Sequence, residues 1–182
     1  MPIADDKQRW ILSRRKTNQG GVSKCSSRSW RKDLGKGALR VSIHCTRYII
    51  KERRFQAFTD GSLLNDHVGF GAFIELPNLE EAHVVERIPD GCTVFQAEQK
   101  ATQFTASWLE KHLRISEAPS SDVHFYVDSQ AAILALDKRK TRSALSRRTI
   151  QSLNALAKHN TVTIHWVKAH VGHLGNEFAG RR

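Results

Sequence analysis

From Phe55 onward the chain changes period, and that change limits the folds open to it. FQAFTD, VGFGAFIEL and AHVVERI are three short apolar segments separated only by turn-like breaks such as PNLEE. Three such strands in succession predict an antiparallel meander. The glycines of the second segment suggest close packing or a bulge. CTVFQAEQKATQFTASWLEKHL then moves to helical spacing, with Ala97, Ala101, Phe104 and Trp108 on one core-facing stripe and Thr93 as the N-cap. SSDVHFYVD reads as a fourth strand and SQAAILAL as the start of a helix. A further helix runs through Ile150, Leu153 and Leu156, and TVTIHWV is a fifth strand. Strand, helix, helix, strand calls for parallel pairing with crossover helices. The expectation is an α/β fold: a five-stranded mixed sheet, an antiparallel meander joined to parallel strands, with flanking helices.

Residues 1–53 carry no such pattern. RSWRKDLGKG reads as a loop, and RVSIHCTRYII alternates weakly enough to be a strand or none. This part is expected to be a basic extension, a linker or a remnant of a neighbouring domain, with the folded domain at 54–182. The charge follows the same boundary. Residues 1–54 hold 15 Lys/Arg against 4 Asp/Glu, whereas residues 55–182 hold 14 of each. The net charge of +11 therefore belongs to the N-terminal arm. Such an arm attracts polyanions such as RNA or DNA by counterion release, or is simply a solvated tail.

Cys25, Cys45 and Cys92 are widely spaced, without a CxxC pair, which argues against zinc and for a reducing compartment. No apolar run approaches membrane-spanning length, and the charged N-terminus does not read as a secretory signal. A soluble, intracellular protein, cytoplasmic or nuclear, is expected.

Three acids stand out against this frame. Asp60 and Asp128 end apolar strands, and Glu98 lies about one turn into the first helix. Sites in α/β sheets collect at the C-terminal strand edge. Adjacent parallel strands would bring the two aspartates within ångströms, an arrangement that needs a cation between them. Taken singly, each acid has an ordinary reading. An Asp after a strand is often a turn residue, Asp128–Ser129 fits a helix cap, and Glu98 fits a first-turn dipole partner.

Taken together, TDGS at 59–62, FQAE at 95–98, YVDSQAAI at 126–133 and WVKAHVGHLGNEFA at 166–179 resemble the successive motifs of type 1 ribonuclease H. The resemblance covers about residues 55–182. The wording of FQAE and KAHVGHLGNE is most similar to the ribonuclease H domain of non-LTR retrotransposon polyproteins. It implies the ribonuclease H-like fold and an endonuclease that cuts the RNA strand of RNA–DNA hybrids with Mg²⁺ or Mn²⁺. Asp60 resembles the acid that bridges two ions, with Glu98 and Asp128 flanking it. The ions activate a water and stabilise the leaving 3′ oxygen. His170 resembles a mobile histidine that assists proton transfer or product release. His173 reads as incidental, and His165 as structural. Gln130 resembles a minor-groove reader able to bond a ribose 2′-OH. Thr93 and Asn65 are weaker candidates for backbone contacts. Lys138, Arg139, Lys140, Arg142, Arg147 and Arg148 resemble a basic protrusion that grips DNA, or form a solvated charge run. The implied assembly is a monomer or part of a longer reverse-transcriptase polyprotein.

The chain departs from the pattern at its end. The family motif continues N-E-x-A-D and then a helix, whereas Asn176-Glu177-Phe178-Ala179 is followed by Gly180 and two arginines. The fourth acid is replaced, and the C-terminal helix is expected to be truncated. Glu177, one turn earlier, either substitutes in part or only bonds the loop. A decayed transposon copy accounts for both departures, as does an artificial chain end. The competing reading is a nucleic-acid-binding remnant of the same fold, impaired in catalysis. Proofreading exonucleases, which carry Asp-x-Glu on the first strand, and integrases, which place the glutamate last, fit less well. A polymerase fragment lacks its YxDD-like motif.

Overall fold

The computed structural model describes residues 11–14, 31–33, 39–42, 54–78, 80–116, 120–136, 142–168 and 179. The expected truncation of the C-terminal helix falls outside these residues. Three short strands come first: β1 (Ile11–Arg14), β2 (Arg31–Asp33) and β3 (Leu39–Ser42). The main body follows as β4 (Phe55–Leu64), β5 (His67–Glu75), β6 (Glu80–Arg87), α1 (Val94–Ile115), β7 (Asp122–Val127), α2 (Gln130–Leu136), α3 (Ala144–Ala157) and β8 (Thr161–Trp166).

β4, β5 and β6 form the antiparallel meander, and β7 and β8 join β4 in parallel. This is the five-stranded mixed sheet of a ribonuclease H-like α/β fold. The early strands extend it at both edges. β1 pairs antiparallel with β6, β3 pairs parallel with β8, and β2 pairs antiparallel with β3. β3 takes up the start of the weakly alternating RVSIHCTRYII stretch.

The β4–β5 hairpin closes through Asn65 and Asp66, both at positive φ (49° and 61°). That is the two-residue turn whose twist matches the strands, and Asn and Asp tolerate it better than other side chains. The Thr93 side chain caps α1 by accepting from the Gln96 backbone N–H at 3.2 Å, while Gln96 Oε1 accepts from the Thr93 N–H at 2.7 Å.

Strand alternation divides the sheet into two faces. Phe55, Ala57, Val123, Phe125, Val127, Val162 and Ile164 lie on the helix-covered face, in a core shared with Leu109, Leu153 and Leu156. α1 is buried over more than one stripe, because α3 packs beside it. Gln99 accepts from the Ser146 hydroxyl at 2.7 Å, and Thr149 donates to the Gln99 carbonyl at 3.3 Å. Trp108, expected in the core, is half-buried against it.

The opposite face carries a transverse row of rings placed by the strand register: His83, Phe73, Phe58, Tyr126 and His165. Successive centroids lie 4.6, 6.0, 4.7 and 5.1 Å apart. His165 also sits 2.8 Å from His124 through ring nitrogens, so it is built into the sheet. Two residues along β4 from Phe58, on the same face, stands Asp60. Two residues along the chain from Tyr126 stands Asp128.

Candidate metal centre

Asp60 is held within β4 opposite Gly71 of β5. Asp128 directly follows β7, in the corner before α2. The parallel β4–β7 register runs to Thr59 and Val127, so the two acids lie one step beyond a shared rung. The capping role open to the Asp128–Ser129 pair falls to Ser129, which accepts from the Ala132 N–H at 3.2 Å.

Glu98 arrives from above the sheet. It is a second-turn residue of α1, whose first turn contains no acid, so the dipole reading does not apply to it. The approach depends on Gly61. A Cβ there would lie 2.5 Å from the Glu98 backbone nitrogen and 2.9 Å from the Ala97 Cβ. Helix backbone cannot swing aside as a flexible side-chain tip can, so Gly61→Ala must push α1 off the sheet. We expect this variant to lose stability by about 1–3 kcal/mol. Displacement of Glu98 should also weaken divalent-cation binding at least about tenfold. Urea denaturation and Mn²⁺ calorimetry read the two effects. Wild-type Mn²⁺ affinity in Gly61→Ala would show that the close approach is dispensable.

One oxygen from each of Asp60, Glu98 and Asp128 can be chosen so that all three lie within 4.8 Å of one another. Asp60 and Asp128 are partly exposed, whereas Glu98 is 5% exposed. Burial first, then the charges of Asp128 and Asp60, push the Glu98 carboxyl up to about 9, against a hydrogen bond with the Gly61 backbone that pulls it down. Its Oε2 is buried without a hydrogen-bond partner. A buried carboxylate oxygen lacking a donor, facing two further carboxylates, is a site short of positive charge. Hard oxygen donors without nitrogen or sulfur suit Mg²⁺ or Mn²⁺.

The other candidate residues lie at varied distances from this centre along the chain. Gln130 opens α2, two residues after Asp128, and is exposed. Thr93 is the α1 cap, and Asn65 is at the hairpin tip. Arg142, Arg147 and Arg148 are exposed at the start of α3, where Arg147 Nη1 donates to the Arg142 carbonyl at 3.0 Å. His170, His173, Glu177, Gly180, Lys138, Arg139 and Lys140 lie outside the described residues. Ala179 is buried beside Phe58, Phe73, Tyr126 and Val167. A Cβ on Gly71 would overlap the Ala179 carbonyl. Residue 179 is thus seated over the residue paired with Asp60. The supporting role of Gly61 was not read from the sequence, whereas the close packing expected of the β5 glycines is met at Gly71. For Gly61 a signal existed, a glycine placed directly after a strand-borne acid.

Residues 52–181 match the family model described as RNase H. Among solved structures, RNase H1 from the halophilic archaeon Halobacterium salinarum NRC-1 is 20% identical, with a TM-score of 0.49, and the match covers 70% of this chain and 92% of that one. The N-terminal RNase H domain of a Mycobacterium tuberculosis protein, solved as a fusion with maltose-binding protein, is 16% identical. Its TM-score is 0.51, and the match covers 70% of this chain and 94% of that one. At that identity the likeness speaks to the fold alone. No curated protein matches the chain. Among the described residues, no helix is long and apolar enough to cross a membrane.

Proposed function

Because the chain belongs to the RNase H family, we propose that it is a metal-dependent endonuclease that hydrolyses the RNA strand of RNA–DNA hybrids. The observation that carries this reading is the meeting of three carboxylates from β4, α1 and the β7–α2 corner around a buried, unpartnered Glu98 oxygen. Asp60, Glu98 and Asp128 would hold Mg²⁺ or Mn²⁺, with Asp60 between the other two in role. A divalent pair there supplies an activated water and charge stabilisation at the leaving 3′ oxygen. Water adds to phosphorus and the P–O3′ bond breaks, leaving a 5′-phosphate and a 3′-hydroxyl. Glu98 releases its proton when the site is charged with cation. The Gln130 amide bonds a ribose 2′-OH and so favours RNA over DNA in the cut strand. Thr93 and Asn65 offer backbone contacts, and His170 assists proton transfer or product release. The basic residues from Lys138 to Arg148 hold the DNA strand by charge. The motif wording supports an origin in a non-LTR retrotransposon polyprotein.

The test is cleavage of an end-labelled hybrid in Mg²⁺, Mn²⁺ and EDTA, beside single-stranded and duplex RNA. Metal-dependent cutting of the hybrid RNA strand alone supports the proposal, and its absence from every metal condition refutes it.

One observation favours a second reading, a hybrid-binding domain with impaired chemistry. Ala179 is packed over Gly71, beside Asp60, and the next residue is Gly180, which offers no carboxylate. If the fourth acid matters, Gly180→Asp raises the cleavage rate at least about tenfold and lowers the Mg²⁺ concentration for half-maximal rate. An unchanged Mg²⁺ dependence in that variant would count against the second reading.

A further inference from the structure

The carbonyl of Asp128 is held by a side chain from another strand. Trp166 Nε1 donates to it at 2.9 Å. Trp166 is the last residue of β8 and pairs with Val127, and its partly buried ring packs against the helix-side core. Asp128 and Ser129 form the corner between β7 and α2. The flanks of the corner are tied. The Val167 N–H donates to the Val127 carbonyl at 3.1 Å, and the Ser129 carbonyl accepts from the Ile133 N–H at 3.2 Å. The indole closes the interval between these two anchors.

We propose that Trp166 is a positioning residue for Asp128. By fixing the peptide that follows the Asp128 Cα, the indole sets the direction in which the carboxylate leaves the chain towards Glu98 and Asp60. Tryptophan suits this role because its N–H sits on a long, rigid, uncharged ring that the core locks in place. The ring touches the main chain of Asp128, and its influence on the reaction runs through that residue. The proposal rests on the metal reading of the triad.

The experiment is Mn²⁺ titration of the metal-free full chain by calorimetry, with the Mg²⁺ dependence of hybrid cleavage beside it. The proteins are wild type, Trp166→Phe, Trp166→Leu and Asp60→Asn. Phenylalanine keeps most of the ring and removes the donor. Both Trp166 variants should bind Mn²⁺ about tenfold more weakly, the lower end of what loss of a ligand-orienting partner costs. The KM for hybrid should stay within about twofold, because the substrate-facing surface is unchanged. A purely structural ring predicts the reverse, with Trp166→Phe near wild type in Mn²⁺ affinity and only Trp166→Leu impaired. That outcome overturns the proposal. If wild type and Asp60→Asn bind Mn²⁺ equally poorly, the metal reading fails first and the positioning role falls with it. Should Trp166→Phe not fold, the wild-type indole N–H resonance of Trp166 carries the test. It must exchange slowly with solvent and shift on Mg²⁺ addition, and fast exchange refutes the hydrogen bond.

Discussion

Asp60→Asn should abolish hybrid cleavage, by on the order of a thousandfold or more, while leaving the fold in place. The size follows from the unit in which Asp60 acts. Groups that work jointly lose most of their combined effect when one is removed. Asparagine keeps the shape and one oxygen but removes the charge from the residue next to Gly61, the glycine that brings α1 onto the sheet. The sheet register around Asp60 is made by backbone pairing with Gly71, which asparagine leaves intact. One of the two charges that raise the Glu98 carboxyl also disappears. The metal-free variant should therefore be at least as stable as wild type at neutral pH. Cleavage of labelled hybrid, Mn²⁺ calorimetry and circular dichroism together check this. A variant retaining a tenth of wild-type activity would remove Asp60 from the centre of the mechanism.

Much of this site was legible because alternation and position do most of the work. Asp128 could be found from its place at the end of an apolar strand and Asp60 from the apolar run before it, although β4 continues to Leu64, and the register carries both one step past the Thr59–Val127 pair. What a linear reading misses are effects of close approach in three dimensions. The place of Glu98 among the acids could be read, but its burial follows only from Gly61, which lets α1 sink it beneath solvent. The same limit hides Trp166. Its indole reaches a carbonyl 38 residues away in the chain, and no local pattern encodes that. The edge strands β1 and β2 were missed for another reason. Ladder pairing uses backbone groups that every non-proline residue carries, so a three- or four-residue edge strand need not show alternation. The width of the buried arc on α1 was underestimated because its flank meets α3, a second partner that a single apolar stripe does not announce.

Glu98→Gln should stabilise the metal-free protein while destroying its activity, and the stabilisation should grow with pH. In the folded state the Glu98 carboxyl titrates near 9, against an ordinary value of 4.5. Between those values the native chain keeps a proton that the unfolded chain has lost. Stability therefore falls as pH rises through this window, by at most about 1.4 kcal/mol per unit. Below about 4.5 the two states are equally protonated and the penalty vanishes. Glutamine mimics the protonated acid and never titrates, so the variant escapes the slope. At pH 7.5 its advantage should be between about 1 and 4 kcal/mol, the upper figure assuming no relaxation around the charged group. Adding Mg²⁺ reverses the ranking, because ligand binding to the native state stabilises wild type and barely touches the variant. The same proton makes wild-type metal affinity rise by up to tenfold per pH unit until about 9 and then level, since the cation and the proton compete for one carboxylate. Urea unfolding of EDTA-treated proteins at pH 5 and pH 8, repeated with Mg²⁺, reads all three effects. If the difference between wild type and variant is the same at both pH values, Glu98 is ionised in the metal-free fold and the site is already balanced without a cation.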